Sequence, residues 1–336
     1  MGVQQEGQKL PSTRVYSMAD GRGFVLLNRM DKITDDGLYV GSSMAEVDKA
    51  MLGECGVTHV LSVASHYVPS HPSDFVYKIV SIDDLPEENL IQYFPECNAF
   101  IAGAIEAGGR VLVHCMAGQS RSAAVAAAYL MQKNALTAEQ ALDMLRERRP
   151  QINPNEGFVA QLQLFYNIGY DVSPARPMYR RFLVSRSSEH FKEYGTIERS
   201  DIVAGADPLA LDPRRMRGLV VRCKKCRRPL VSDANIVDHS AGDGEVAFSF
   251  KKRSNGSGTA TPHAFPQNKA CSSLFVEPME WMDGVTDGLL ENKIMCPKCH
   301  AKLGSYNWAG AQCSCGKWIT PSFQIHRNRV DELHQR

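Results

Sequence analysis

One run constrains this chain more than any other: Val111-Leu112-Val113-His114-Cys115, then Met116-Ala117-Gly118-Gln119-Ser120, then Arg121-Ser122 and an alanine-rich stretch to Met131. The apolar residues before Cys115 read as a buried strand, and the alanine-rich stretch reads as a helix. A strand that turns into a helix through so short a loop gathers backbone N–H groups around one point, at the positive end of a helix dipole. That point suits an oxyanion, to which Arg121 can add a planar fork of donors. A thiol at a helix N-terminus beside a guanidinium ionises readily, so Cys115 is expected to be a nucleophile at neutral pH. Against a phosphate ester this arrangement implies in-line attack and a cysteinyl-phosphate intermediate. The plainer alternative is a structural cysteine ahead of an alanine-rich helix.

The same residues resemble a known family. His114-Cys115-x5-Arg121-Ser122 is similar to the phosphate-binding loop of the cysteine-dependent protein phosphatases. The wider run Ala117-Gly118-x-Ser120-Arg121-Ser122, with Ala128-Tyr129-Leu130-Met131 behind it, resembles the dual-specificity branch. The resemblance implies that residues 116–120 bind the phosphate with Arg121, that His114 orients the cysteine loop, and that the Ser122 hydroxyl helps the sulfur leave. It implies hydrolysis of phosphotyrosine and phosphoserine/threonine in a shallow pocket, with no cofactor for catalysis. Gln119 departs from the apolar residue that many relatives carry there, which bears on substrate preference. The chemistry also needs an acid to protonate the leaving oxygen. Asp83 and Asp84 stand in a turn-rich loop before a helix. In the family the acid lies five residues ahead of an Asn-Leu pair; counting back from Asn89-Leu90 selects Asp84, with Asp83 as the alternative.

Around this run, strands and helices alternate. Strands are expected near residues 38–42, 57–64 and 76–80, and helices over 45–56, 90–107 and 137–149, the last opening on a Thr137/Gln140 capping pair. Continuously apolar strands argue for a sheet covered by helices on both faces, an α/β domain. The run Arg148-Arg149-Pro150-Gln151-Ile152-Asn153-Pro154-Asn155-Glu156-Gly157-Phe158 resembles the start of the family's last helix, so the resemblance covers residues 32–171. Residues 1–31 read as a flexible tail and 172–218 as a linker with a helix around Ser188 to Tyr194.

Composition matters most in the remaining part, residues 219–336. Seven of the ten cysteines follow residue 220. Cys223, Cys226, Cys271, Cys296, Cys299, Cys313 and Cys315, with His239, make eight ligands, enough for two tetrahedral sites. In a reducing compartment such spacing reads as metal rather than disulfide, and thiolate-rich sites favour structural Zn2+. Local loop closure would group Cys223, Cys226, His239 and Cys271 against Cys296, Cys299, Cys313 and Cys315. Pairing the two Cys-x2-Cys turns across the domain would instead leave His239, Cys271, Cys313 and Cys315 together; their hairpin-like settings favour this second grouping. His263 and His300 are weaker candidates, His263 within a Gly/Ser/Thr stretch at 253–269 that reads as a disordered insertion. A small, mostly β zinc-binding domain is the expected fold, with metal supplying much of its stability.

Basic residues cluster around the first cysteine pair, from Arg214, Arg215 and Arg217 to Lys224, Lys225, Arg227 and Arg228, and all three tryptophans (Trp281, Trp308, Trp318) lie in this part. Basic groups interleaved with aromatics suit an RNA or ribonucleoprotein surface, or simply a solvated rim and a tryptophan core. The runs Phe275-Val276-Glu277-Pro278-Met279-Glu280-Trp281 and Cys296-Pro297-Lys298-Cys299-His300 to Trp308, then Cys313-Ser314-Cys315-Gly316-Lys317-Trp318, resemble the C-terminal module of the dual-specificity phosphatases that carry a zinc-binding domain and act on the large ribosomal subunit. That resemblance implies binding to the pre-60S particle and release of an assembly factor, with a phosphoprotein as the catalytic substrate. A non-catalytic assembly factor and an RNA 5′-phosphatase are the alternatives. A formal charge of +1 excludes a globally basic nucleic-acid binder, though not a basic patch. No apolar run reaches transmembrane length, and the opening residues lack the apolar core of a signal peptide, so cytoplasm and nucleus are expected, with no membrane partner.

Overall fold

The computed structural model describes residues 30–197, 202–210, 218–240, 242 and 271–335. The chain divides into two compact units, Met1–Tyr170 and Asp171–Arg336. His263, Arg214, Arg215, Arg217 and the stretch 253–269 lie outside the described residues.

The first unit is built on a five-stranded sheet in the order β1-β2-β5-β3-β4. These strands are β1 (Met30–Lys32), β2 (Leu38–Ser42), β3 (His59–Val63), β4 (Val76–Val80) and β5 (Val111–Cys115). The last four run parallel, and β1 pairs antiparallel on the edge. Met30 and Asp31 are therefore sheet residues, not tail: Met30 joins the core beside Tyr39 and Leu52. The expected helix over 45–56 is two short helices, α1 (Ser43–Val47) and α2 (Lys49–Glu54). Asp48 breaks it, because its carboxylate accepts the Met51 N–H at 3.0 Å and starts a new helix there. The sequence then forms α3 (Phe94–Glu106), α4 (Arg121–Asn134), α5 (Ala138–Arg148) and α6 (Glu156–Asn167). Thr137 and Gln140 make the expected capping box. Helix α4 is buried from Arg121 through Met131, as an all-round apolar helix must be. It packs against α3, α5 and α6, and its alanines let those neighbours approach closely.

Strand β5 lies between β2 and β3, where the chain crosses from one side of the sheet to the other. Ligands of open parallel sheets bind at the carboxyl ends of strands at such a switch point. Cys115 is the last residue of this central strand.

The second unit is mostly β. It holds a three-stranded sheet ordered β14-β6-β7, a four-stranded sheet ordered β8-β13-β10-β9, and the ribbon β11-β12. In chain order these are β6 (Gly218–Cys223), β7 (Pro229–Ser232), β8 (Ser273–Phe275), β9 (Glu291–Met295), β10 (Lys302–Asn307), β11 (Ala311–Gln312), β12 (Trp318–Ile319), β13 (Ser322–His326) and β14 (Val330–Gln335). Trp281, Trp308, Tyr306 and Phe323 centre its core. The expected linker departs most from the structure, because it contains α7 (Pro177–Tyr194), a helix of this unit. Its Val184 enters the core, its Ser188 hydroxyl donates to the Trp308 carbonyl, and its Arg180 forks onto buried Glu277 at 2.8 and 3.1 Å. Its C-terminal part is the helix expected around Ser188 to Tyr194; weak local periodicity hid the rest, because one buried ion pair and a few apolar contacts hold it, not a broad apolar stripe.

Candidate functional site

The loop between β5 and α4 wraps back over Cys115. The Gly118 N–H and the Ser122 hydroxyl each donate to the Cys115 sulfur at 3.3 Å. Burial by itself would push this thiol up, but the Ser122 hydroxyl and the N–H groups of Ser122, Gln119 and Gly118 hold it below its ordinary value. Gly118 is required at its position, since its φ is +68° and a Cβ there would stand 2.3 Å from the Gly41 carbonyl oxygen. The Met116, Ala117 and Ser120 N–H groups donate to no backbone carbonyl among the described residues, which leaves loop donors available to an oxyanion. The Arg121 guanidinium is buried and donates from Nη1 to the Ile82 carbonyl at 3.0 Å, so its plane is set from the β4 side.

His114 sits next to Ser62 because β5 and β3 pair in that register. Its Nε2 lies 2.7 Å from the Ser62 hydroxyl and its Nδ1 is 3.4 Å from the Cys115 carbonyl. Burial pushes the imidazole down to about 4, against the opposing pull of the Glu46 charge, so His114 is neutral at neutral pH. It therefore shapes the strand end through hydrogen bonds, while dipoles and hydroxyls, not an imidazolium, favour the thiolate.

The two candidate acids separate cleanly. The Asp83 carboxylate accepts from the Ser65 hydroxyl. Asp84 turns to the cysteine loop: its Oδ1 accepts from the Ser120 hydroxyl at 2.6 Å and from the Asn155 amide at 2.9 Å, and its Oδ2 lies 3.6 Å from Arg121 Nε. The start of α6 fixes that loop. Gln161 accepts the Leu90 and Ile91 N–H groups at 2.8 and 2.9 Å and donates to the Glu88 carbonyl at 2.7 Å. Gly157 packs so close to Pro86 that an added Cβ would stand 2.0 Å from its carbonyl oxygen.

Three contributors escaped sequence reasoning. Arg149, fully buried, donates to the carbonyls of Gly118 (2.8 Å) and Ala117 (3.3 Å) and to Asp31 (2.7 Å), and so braces the outer side of the loop. Asn155 caps α6 through the Phe158 N–H while its amide holds Asp84. Glu46, buried, accepts from Ser70 and Tyr77 and ties the segment after β3 to α1; Tyr67 of that segment packs its ring edge-on to His114 at 4.9 Å. Arg149 and Asn155 lie in the Arg148-to-Phe158 run, so their presence was visible and their partners were not.

In the second unit the eight candidate ligands form two groups, Cys223, Cys226, Cys296, Cys299 and His239, Cys271, Cys313, Cys315, with the ligand atoms of each group within 4.8 Å of one another. This is the cross-domain grouping. Sulfur separations of 3.6 Å (Cys226 to Cys296) and 3.7 Å (Cys223 to Cys299) approach the edge of about 3.8 Å that four Zn–S bonds of ~2.3 Å would span. Cys271 and Cys315 lie 3.5 and 3.4 Å from His239 Nε2. The donor sets thus fit a tetrahedral metal ion. The two Cys-x2-Cys turns are built alike. In each, the fourth residue after the first cysteine takes a left-handed conformation and donates back to that cysteine's carbonyl: Arg227 at φ 63° and His300 at φ 54°. His300 thus serves the turn and stands outside both groups.

Known proteins resemble this chain in sequence. The family described as "Dual specificity phosphatase, catalytic domain" matches residues 38–168. Dual specificity protein phosphatase 12 of Mus musculus is 38% identical over 302 residues, covering 88% of this chain and 87% of its own. Tyrosine-protein phosphatase YVH1 of Saccharomyces cerevisiae is 32% identical over 329 residues, covering 88% of this chain and 90% of its own. The crystal structure of the Yvh1 phosphatase domain from Chaetomium thermophilum is 29% identical with a TM-score of 0.40, covering 43% of this chain and 99% of that one.

Proposed function

The chain belongs to the dual specificity protein phosphatases of the Yvh1 type, and from that premise we propose how its residues divide the work. A phosphorylated side chain enters with its phosphate over residues 116–121. The Cys115 thiolate attacks phosphorus in line; the P–O bond to the substrate breaks, and Asp84 gives its proton to the leaving oxygen. Arg121 and the loop amides hold the equatorial oxygens as charge develops. In the second half-reaction Asp84 takes a proton from water as the water attacks the cysteinyl phosphate. Ser122 then stabilises the departing thiolate. The observation that carries this reading is the Cys115 sulfur held by Gly118 and Ser122 beside the Arg121–Asp84 pair.

The second unit holds two structural Zn2+ ions, one on Cys223, Cys226, Cys296 and Cys299 and one on His239, Cys271, Cys313 and Cys315. When bound, each ion cross-links segments distant in sequence and stabilises a small unit. This unit carries the phosphatase to the pre-60S ribosomal particle, in nucleus and cytoplasm, where it binds rRNA and ribosomal protein and promotes release of an assembly factor. Two features support this: the resemblance over residues 219–336, and relatives whose similarity runs well beyond the catalytic domain.

Hydrolysis of para-nitrophenyl phosphate tests the chemistry. Cys115→Ser is expected to abolish it, and Asp84→Asn to slow it; activity equal to wild type in either variant refutes the assignment. Sucrose-gradient sedimentation of lysate tests the address. Wild type and Cys115→Ser should travel with the large-subunit precursor, and a Cys296→Ser/Cys299→Ser variant should not. If none of the three co-sediments, the ribosomal reading fails.

A further inference from the structure

A cleft of about 250 Å3 opens beside the first cysteine group, where three separate turns meet. Lys224 and Lys225 come from the turn after β6, Lys302 from the start of β10, and Asn328 and Arg329 from the turn before β14. All four cations are exposed. Their chain distances mean that only the folded unit concentrates them; a Lys224 N–H bond to the Arg329 carbonyl at 3.1 Å joins two of the turns. The neighbouring arginines differ in state. Arg227, Arg228 and Arg327 are each bound to an acid, Asp331, Asp207 and Glu332. Among the described residues none of the four cleft cations has an ion-pair partner.

We propose that this cleft is a binding site for the phosphate backbone of RNA, an inference that rests on the ribonucleoprotein reading above and names the contact surface within it. Four of the seven residues that line it are cationic, and the others are Cys223, Ala301 and Asn328. No aromatic or large aliphatic side chain lines the cleft, so it lacks the buried anchor that a protein partner needs. What it offers is point charge and an amide. Those position a phosphodiester chain without reading its bases. Recognition is therefore sequence-tolerant and strongly salt-dependent.

The test is fluorescence anisotropy of a labelled single-stranded RNA 20-mer with the full zinc-loaded chain. Four phosphate contacts on a single strand predict an affinity loss of about 50-fold between 50 and 200 mM salt, from a slope of roughly −0.7 per contact. Lys224→Gln/Lys302→Gln should weaken binding at low salt and reduce that loss to about 7-fold. Zinc content and para-nitrophenyl phosphate hydrolysis, measured on the same samples, should stay at wild-type values. Unchanged affinity and slope in the double variant overturn the proposal. So does RNA affinity that falls only in proportion to lost zinc, which would mean that the cations serve the thiolate cluster. Displacement of RNA by polyglutamate at equal charge concentration also overturns it, in favour of an acidic protein partner. Sedimentation of the same variant separates the two readings. Loss of RNA binding with loss of co-sedimentation supports both; unchanged RNA binding with intact co-sedimentation sinks the cleft and leaves the ribosomal address standing.

Discussion

Replacing Arg149 by lysine isolates what a buried guanidinium does for the catalytic loop. Arg149 is 0% exposed, and its three nitrogens reach three acceptors: Gly118 O, Ala117 O and Asp31 Oδ2. A lysine keeps the charge but presents its donors from one point, so it can retain the Asp31 pair and lose the fork. Two carbonyls of the loop would then lack donors. The Gly118 carbonyl is buried, so losing its donor costs about 1–3 kcal/mol, whereas the part-exposed Ala117 carbonyl can turn to water. That corresponds to about 5- to 150-fold in the ratio of folded to unfolded first unit. The same loss moves Gly118, whose N–H faces the Cys115 sulfur, and a misplacement on the order of 1 Å can lower turnover by about 100-fold. The assay is urea denaturation followed by phosphatase activity and far-UV circular dichroism, because all three tryptophans belong to the second unit and do not report on the first. A variant with wild-type midpoint and wild-type kcat would refute the idea that Arg149 braces the loop.

Further outcomes follow from the same geometry. Ser122→Ala removes a hydrogen bond to a charged sulfur worth about 1.5–3 kcal/mol, so hydrolysis of the cysteinyl phosphate should slow by roughly 10- to 100-fold and a burst of the first product should appear; steady turnover without a burst would count against it. The pH profile of Cys115 alkylation should also move upward in that variant, because the Ser122 hydroxyl is among the groups that hold the thiol down. His114 is held at about 4, below its ordinary value near 6.5. Its neutral form therefore stabilises the fold fully above pH ~6.5, and that contribution, about 3 kcal/mol, drains away as pH falls toward 4; urea midpoints at pH 7 and 4.5 should show it, and His114→Gln should lose less over that range. Stripping metal with a strong chelator should red-shift the emission of buried Trp281 and Trp308 while hydrolysis by the first unit persists; an unchanged spectrum would mean that the cysteine groups do not hold a structural ion.

Chemistry carried by contiguous residues is legible in the order of the amino acids. The β5-loop-α4 run places nucleophile, loop amides and arginine within a few residues, and the Gly118 N–H and Ser122 hydroxyl close on the Cys115 sulfur from within that run. Ligand types in the second unit are equally plain, because thiolates at such spacing have few other uses. Where partners are far apart in sequence, the residues are visible but their arrangement is not. Asp83 and Asp84 are neighbours with the same chemistry, and their difference is decided by Ser65 on one side and by Ser120 and Asn155 on the other. Arg149 meets Asp31 across 118 positions, and α7 owes its place to Glu277, 97 positions from Arg180. The two cysteine turns share their local fold, but only the sheets that carry them bring the sulfurs to 3.6 and 3.7 Å. Sequence by itself thus determined the reactive groups and their short-range geometry. Which distant group faces which was settled only by packing of the whole chain, because the contact between them forms only once the intervening residues have been ordered.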